Sequence, residues 1–254
     1  KGIIFGIAND HSIAWGIAKK LAENGAELVI TYQNDTFLKR VGPLAKKIDS
    51  DLLIECDFSK SESIKNCFKK IKLKFKNIDF VIHAAAFSNK NELNGKYLNT
   101  TKENFINTLN ISCFSFTEIS KYASDIMNGG GSLLTLSFYG SNKVMPNYNV
   151  MGVAKAALET SVKYLSVDLG NKDIRVNAIS AGPMRTLAGA AISNAREVYN
   201  YTQTNSALKR NVGLEEIGNT ALYFVSDLSK AVTGEIHYVD CGFNIIGMPQ
   251  INTS

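Results

Sequence analysis

Tyr148 and Lys155 stand seven residues apart in the run Pro146-Asn147-Tyr148-Asn149-Val150-Met151-Gly152-Val153-Ala154-Lys155, a little beyond the apolar stretch Ser132-Leu133-Leu134-Thr135-Leu136-Ser137. Seven residues of α-helix make almost two turns and rise roughly 10 Å, so a phenol and an ammonium at this spacing share one helix face along a groove. A free phenol titrates near pH ~10 and a free amine near ~10.4, and a neighbouring cation favours the ionised phenol. The spacing therefore predicts that Tyr148 is a better acid than an isolated tyrosine. Tyr139 and Lys143 form a second pair, four apart. Gly140, Ser141 and Asn142 between them are poor helix formers and Pro146 follows, so that pair is not expected to share a helix face. His11, His83 and His237 lie far from one another with no recognisable Ser or Cys partner, and none is assigned chemistry.

The amino end supplies a second candidate. Residues 2–8 read as a strand and 12–21 as a helix, with Ser12 as N-cap, Ile13, Ile17 and Leu21 at helical spacing and Gly25 as the stop. Gly6 allows a tight turn at the strand end, and the free amides of the helix start offer positive partial charge to a phosphate. The pattern Gly6-x5-Ser12-x-Ala14-x-Gly16 departs from the usual Gly-x-Gly-x-x-Gly, and a plain strand-to-helix turn would read the same way.

Strand-like runs recur at 2–8, 26–33, 51–57, 78–86, 131–138, 175–182 and 234–241, with helical stretches at 12–24, 36–48, 61–75, 101–127, 148–169 and 214–227. The runs are apolar on both faces, as parallel strands covered by helices on both sides must be. The expected fold is α/β, a Rossmann-like doubly wound sheet of about seven parallel strands, in a single domain spanning residues 1–254. Its ligand crevice should lie beyond the carboxyl ends of the strands, where Gly6 to Ser12, Gln33, Asp57, Phe58, the small residues Ala84, Ala85 and Ala86, and Ser180 to Pro183 fall. Asp57 there could accept a hydrogen bond from an adenine amino group.

Apolar content of 45% and charged content of 20% are ample for a sizeable core in a chain of 254 residues. No apolar run reaches the ~18–20 residues of a membrane span and no signal peptide opens the chain, which makes cytoplasm the expected compartment and a membrane partner not expected. The net charge of +5 comes from lysines interleaved with acids on helix faces, a solvated surface rather than a nucleic-acid patch. Cys56, Cys67, Cys113 and Cys241 are scattered without zinc spacing, so buried free thiols and no metal are expected.

These blocks, with Arg175-Val176-Asn177-Ala178-Ile179-Ser180-Ala181-Gly182-Pro183-Met184-Arg185-Thr186-Leu187-Ala188, resemble the short-chain dehydrogenase/reductase superfamily and, within it, the bacterial NADH-dependent enoyl-[acyl-carrier-protein] reductases over nearly the full chain. Ordinary members of the superfamily carry Tyr and Lys four apart, which would put the Tyr at Met151; the seven-residue spacing is the enoyl reductase variant. The resemblance implies a catalytic pair of Tyr148 and Lys155, with Lys155 on the nicotinamide ribose and Tyr148 on the substrate carbonyl oxygen. It implies NADH held by Gly6, Ser12, Ile13, Gln33, Asp57, Phe58, Ala85, Lys155, Met184, Arg185, Thr186, Leu187 and Ala188, and substrate contacts from Ser88 and Tyr148. It further implies a mobile lid over about 186–204, a trans-2-enoyl thioester carried on acyl carrier protein, and a homotetramer. The chain departs from the family at Ala84-Ala85-Ala86 and at Phe138, which stands where a second Tyr is usual, with Tyr139 adjacent.

Moving the phenol almost one turn, roughly 4.5 Å along the helix, takes it away from the hydride-donating carbon. That suits conjugate reduction, in which hydride goes to C3 while the phenol serves an oxygen two carbons away. Two other readings remain: a short-chain carbonyl or alcohol dehydrogenase, which would need its phenol at Met151, and a nonenzymatic dinucleotide-binding regulator, which Phe138 and the three alanines keep open.

Overall fold

Seven short apolar runs become seven parallel strands. A computed structural model describes residues 1–190, 192 and 194–249 of the chain. Strands β1 (Gly2–Phe5), β2 (Leu28–Tyr32), β3 (Leu52–Glu55), β4 (Phe80–His83), β5 (Gly131–Ser137), β6 (Ile174–Ala181) and β7 (Ile236–Val239) form one sheet in the order β3-β2-β1-β4-β5-β6-β7. The apolar runs overshoot the ladders mainly at their carboxyl ends. Residues 6–8 after β1 and 84–86 after β4 have left the sheet. The strand order reverses between β1 and β4, where a crevice opens in folds of this type.

Each central strand is buried on both faces, and alternate side chains feed two cores. Ile3 and Phe5 of β1 join one core with α3 (Ser61–Lys74), α5 (Ser115–Ser124) and α6 (Asn149–Gly170). Ile4 joins the other with α1 (Ile13–Glu23), α2 (Asp35–Lys46) and α9 (Leu214–Val225). Each large apolar side chain so buried stabilises the fold by about 1.5–3 kcal/mol before entropy is charged against it. Between β6 and α9 the chain forms α7 (Leu187–Ala190) and α8 (Ala195–Asn205). No helix among the described residues is long and apolar enough to cross a membrane.

Gly16 turns out to serve helix packing rather than an anion. A Cβ there would lie 2.9 Å from the backbone oxygen of Leu214, and one on Gly218 would lie 3.0 Å from the oxygen of Gly16, so α1 and α9 touch backbone to backbone.

The helix expected over 101–127 is three pieces: α4 (Lys102–Leu109), a π-helical segment Asn110–Phe114, and α5. The widened turn is held by side chains. Ser115 Oγ donates to Ile111 O at 2.7 Å, while Ser112 Oγ accepts from Phe87 N at 2.9 Å. No residue in this stretch announces a wide turn, because the apolar spacing on either side is ordinary helical spacing.

His83, fully buried at the end of β4, bridges Thr135 Oγ1 at 2.8 Å and Ser115 Oγ at 2.9 Å, tying β4 to β5 and α5. Burial, with Lys155 nearby, pushes the imidazole down to about 3. The unfolded chain binds a proton here below its ordinary pKa of about 6.5 and the native chain does not, so this site costs stability as pH falls from 6.5 towards 3. A His83→Asn variant should be less stable than the parent at pH ~7 yet lose about 2 kcal/mol less between pH ~7 and ~5. Urea unfolding at both pH values measures this, and equal losses in the two proteins would refute it.

Candidate active site

The carboxyl ends of β1, β2, β4, β5 and β6 surround a cleft of about 1450 Å³. A site for one small ligand typically occupies ~300–1,000 Å³, so this one has room for a dinucleotide and a second molecule. One wall is built by the loop after β1. Gly6 sits at φ +96°, and a Cβ there would lie 2.3 Å from Ala84 O, so only glycine lets the two loops meet at the switch point. Gly6, Ile7, Ala8 and Ile13 line the cleft.

Ser12 stands at the N-cap position of α1 but does not cap it, and it does not line the cleft. Its hydroxyl accepts from Ala8 N and Asn9 N, both at 3.0 Å, and so folds the loop. This corrects the expected cap. Because the hydroxyl is spent on the loop, no side chain satisfies the first-turn amides of α1; Trp15 N donates to Ser12 O at 3.0 Å, and the amides of Ile13 and Ala14 stay available to an anion.

Gln33 and Asp57 meet on the adjoining wall, with Phe58 beside them. Burial works against the Asp57 carboxylate, but hydrogen bonds from Ser59 and Gln33 and the charge of Lys60 at 3.5 Å hold it below the usual carboxylate range. Ala84, Ala85 and Ala86 form a floor of small side chains, and Met184, Arg185, Thr186 and Leu187 close the far side. Thr186 Oγ1 accepts from Gly189 N at 2.9 Å, and the Arg185 guanidinium lies 4.6 Å from the centre of the Tyr199 ring of α8. The Ala188 side chain and residues 191 and 193 of the expected lid lie outside the described residues. An uncapped helix start, a glycine turn and a small-residue floor fit a dinucleotide.

Tyr148 and Lys155 both line the cleft and are nearly enclosed, at 7% and 6% exposure. Tyr148 does not lie inside α6. It precedes the helix at the N-cap position, between Asn147 at φ 59° and Asn149 at φ 40°, both left-handed. Asn149 Nδ2 faces the carbonyls of Glu92, Leu93 and Gly95 at 3.3–3.4 Å, so the same residue that bends the chain also pins the loop beside the phenol. Asparagine is one of the few residues that tolerate this backbone, a signal present in Asn-Tyr-Asn but not used in the sequence reading.

The expected acidification of Tyr148 does not occur. Burial, and then the charge of Glu159, raise its phenol above the ordinary value, while Lys155 donates to Leu136 O at 2.7 Å. Lys155 itself is pushed down to about 8 by burial, with Cys113 and Glu159 acting in the opposite direction. Desolvation is the largest cause at both groups. Tyr148 is thus a neutral hydrogen-bond donor.

Met151 lines the same cleft, so the position four before Lys155 offers a thioether and no hydroxyl. Phe138 also lines it and sets its ring edge-on to Tyr148, with centroids 5.0 Å apart. Tyr139 turns away to Tyr238 and Phe243 and does not replace the missing phenol. Ser88 reaches the cleft, but its hydroxyl is engaged by Thr108 Oγ1 at 3.0 Å and Asn104 Nδ2 at 3.2 Å, which anchors its loop to α4.

A family model described as Enoyl-(Acyl carrier protein) reductase matches residues 6–244. The chain belongs to that family. It is 58% identical to enoyl-[acyl-carrier-protein] reductase [NADH] 2 of Rhizobium meliloti, over 99% of this chain and 94% of that protein. Among solved structures it resembles FabI from Candidatus Liberibacter asiaticus, with 55% identity, a TM-score of 0.96 and coverage of 98% and 96% of the two chains. The reductase of Anaplasma phagocytophilum, solved in complex with NAD, is similar at 50% identity, with a TM-score of 0.94 and coverage of 99% and 94%.

If the Lys155 cation contacts the cofactor, NADH affinity of the free protein should fall as pH rises through about 8, because the ammonium loses its charge there. Fluorescence titration of NADH across that range measures it; an affinity flat up to pH ~10, where an unperturbed lysine titrates, would contradict the buried-cation geometry.

Proposed function

We propose that the chain is an NADH-dependent enoyl-[acyl-carrier-protein] reductase that converts trans-2-enoyl thioesters to saturated acyl thioesters in bacterial type II fatty acid biosynthesis, with Tyr148 and Lys155 as its catalytic pair. The observation that carries the assignment of residues is the joint placement of Tyr148, Met151 and Lys155 on one cleft wall: the phenol stands at the longer spacing, and the shorter one has no hydroxyl. A carbonyl reductase would need that hydroxyl.

The cofactor, when bound, supplies hydride to C3 of the enoyl thioester. Negative charge then develops on the thioester oxygen, and the Tyr148 hydroxyl, kept protonated by its burial, donates a hydrogen bond to it. A proton from solution completes the product at C2. Lys155 spends one N–H on Leu136 O and has two left for the hydroxyls of the cofactor ribose. Gln33 and the anionic Asp57 present no free cation to a 2′-phosphate, since Lys60 is paired with Asp57, which supports NADH over its phosphorylated counterpart. Gly6, Ile13, Phe58, Ala85 and Met184 to Leu187 would hold the dinucleotide along the floor.

The substrate would arrive on acyl carrier protein, and the net charge of +5 suits an acidic partner. A homotetramer fits two features: the unpaired edge of β7, and exposed Val153, Tyr164 and Val167 on one stripe of α6. Four free cysteines suit a reducing compartment such as cytoplasm. The stretch 186–204 would serve as a substrate lid, hinged by the Arg185–Tyr199 contact.

Addition of crotonyl or trans-2-decenoyl thioester should oxidise NADH, with a simple ketone silent. Tyr148→Phe should lower kcat by roughly 100-fold or more with NADH affinity little changed, whereas Lys155→Ala should weaken NADH binding as well. Parental turnover in Tyr148→Phe would remove Tyr148 from the mechanism, and NADH binding without any enoyl-dependent oxidation would favour a regulator.

A further inference from the structure

Glu159 follows Lys155 by one helical turn on α6, is only 8% exposed, and has no part in the steps above. Its Oε1 accepts from Ser137 Oγ at 2.5 Å and from Ser141 Oγ at 2.6 Å. Ser137 ends β5, and Ser141 ends the single 3-10 turn Tyr139–Ser141 that follows it. One carboxylate oxygen therefore grips both ends of this turn. The turn in turn presses on the phenol. Phe138 packs edge-on against Tyr148, and a Cβ on Gly140 would lie 2.5 Å from the Tyr148 ring. Gly152 of α6 is equally close to the turn, since a Cβ there would lie 2.7 Å from Gly140 O.

The same carboxylate matters electrostatically. Leu136 takes the Lys155 ammonium and Ser137, the next residue, answers Glu159, so α6 is stitched to β5 by a cation and an anion one turn apart. A buried ammonium is costly without compensating charge. Glu159 acts on Lys155 and Tyr148 of its own segment and on Tyr238 of β7. Cys113 of the π-helical segment and His83 of β4 are the other titratable groups coupled to Lys155.

We propose that Glu159 is a positioning residue of the reductase, which seats Tyr148 by clamping the turn from Ser137 to Ser141 and whose negative charge holds Lys155 as a cation in its buried place. This rests on the reading of Lys155 as a cofactor-binding group. Glu159→Gln keeps an acceptor oxygen for both serines and removes only the charge; Glu159→Ala removes both. The readouts are NADH affinity as a function of pH and kcat with crotonyl thioester.

Without the anion, Lys155 should lose its proton more easily, so the fall in NADH affinity that begins near pH 8 in the parent should begin about half a pH unit or more lower in Glu159→Gln. At pH ~6.5 that variant should keep a kcat near the parent's, while Glu159→Ala should lose about tenfold through a misplaced phenol. A purely structural glutamate would leave the pH limb in place, and an unmoved limb in Glu159→Gln would overturn the proposal alone. A parent with no limb at all would overturn the Lys155 assignment, and this proposal with it. Should Glu159→Gln not fold, Ser141→Ala tests the clamp from the less buried side. It should lower kcat several-fold with the NADH limb unmoved, and parental turnover there would overturn the clamp.

Discussion

The bond from the Lys155 ammonium to the Leu136 carbonyl, 2.7 Å long and sealed from solvent, is the interaction on which the rest of the site depends. It exists because β5 continues to Ser137 and offers its last carbonyls towards α6, and because α6 runs back across the strand ends. A charge in that place is expensive, and the surrounding structure is organised to keep it. Leu136 O accepts one hydrogen bond, Glu159 supplies a nearby anion, and His83 stays neutral so that no second cation competes.

The same burial decides the character of Tyr148. Proximity alone would let a cation draw a proton from the phenol, but enclosure penalises the phenolate and Glu159 adds to the penalty. Under the proposed mechanism the phenol keeps its proton and serves as a hydrogen-bond donor. Phe138 adds to this by setting an apolar ring against the phenol where a second hydroxyl is usual in the family. A donor enclosed in this way acts more strongly on a developing charge than one in water, because electrostatic stabilisation grows as the local dielectric falls.

The fold was legible because its signals are periodic and local. Apolar runs such as Phe80-Val81-Ile82 admit only a strand covered on both faces, and all seven expected strands form in parallel. The placement of Tyr148 and Lys155 in one cleft was legible from their spacing, since both side chains line it. Other features depend on neighbours far along the chain. Ser12 looks like a cap until the loop of Ala8 and Asn9 claims its hydroxyl, and Gly16 looks like part of a phosphate loop until Leu214 packs on it. Ser88 looks free until Asn104 and Thr108 claim it. Glu159 was invisible because a glutamate inside a helix normally faces water, and only the fold brings Ser137 and Ser141 to it. The sign of the Tyr148 shift was misjudged because burial cannot be read from two residues seven apart.

Conjugate reduction served by one neutral phenol is the central claim, and isotope placement tests it most directly. NADH carrying deuterium on its transferable position would be turned over with crotonyl thioester in ordinary water, and unlabelled NADH in heavy water, with the products read by mass spectrometry and NMR. The account predicts one cofactor-derived deuterium at C3 and one solvent-derived deuterium at C2 of a butyryl thioester whose carbonyl is intact. Cofactor-derived deuterium on the carbonyl carbon, or at C2, would contradict it.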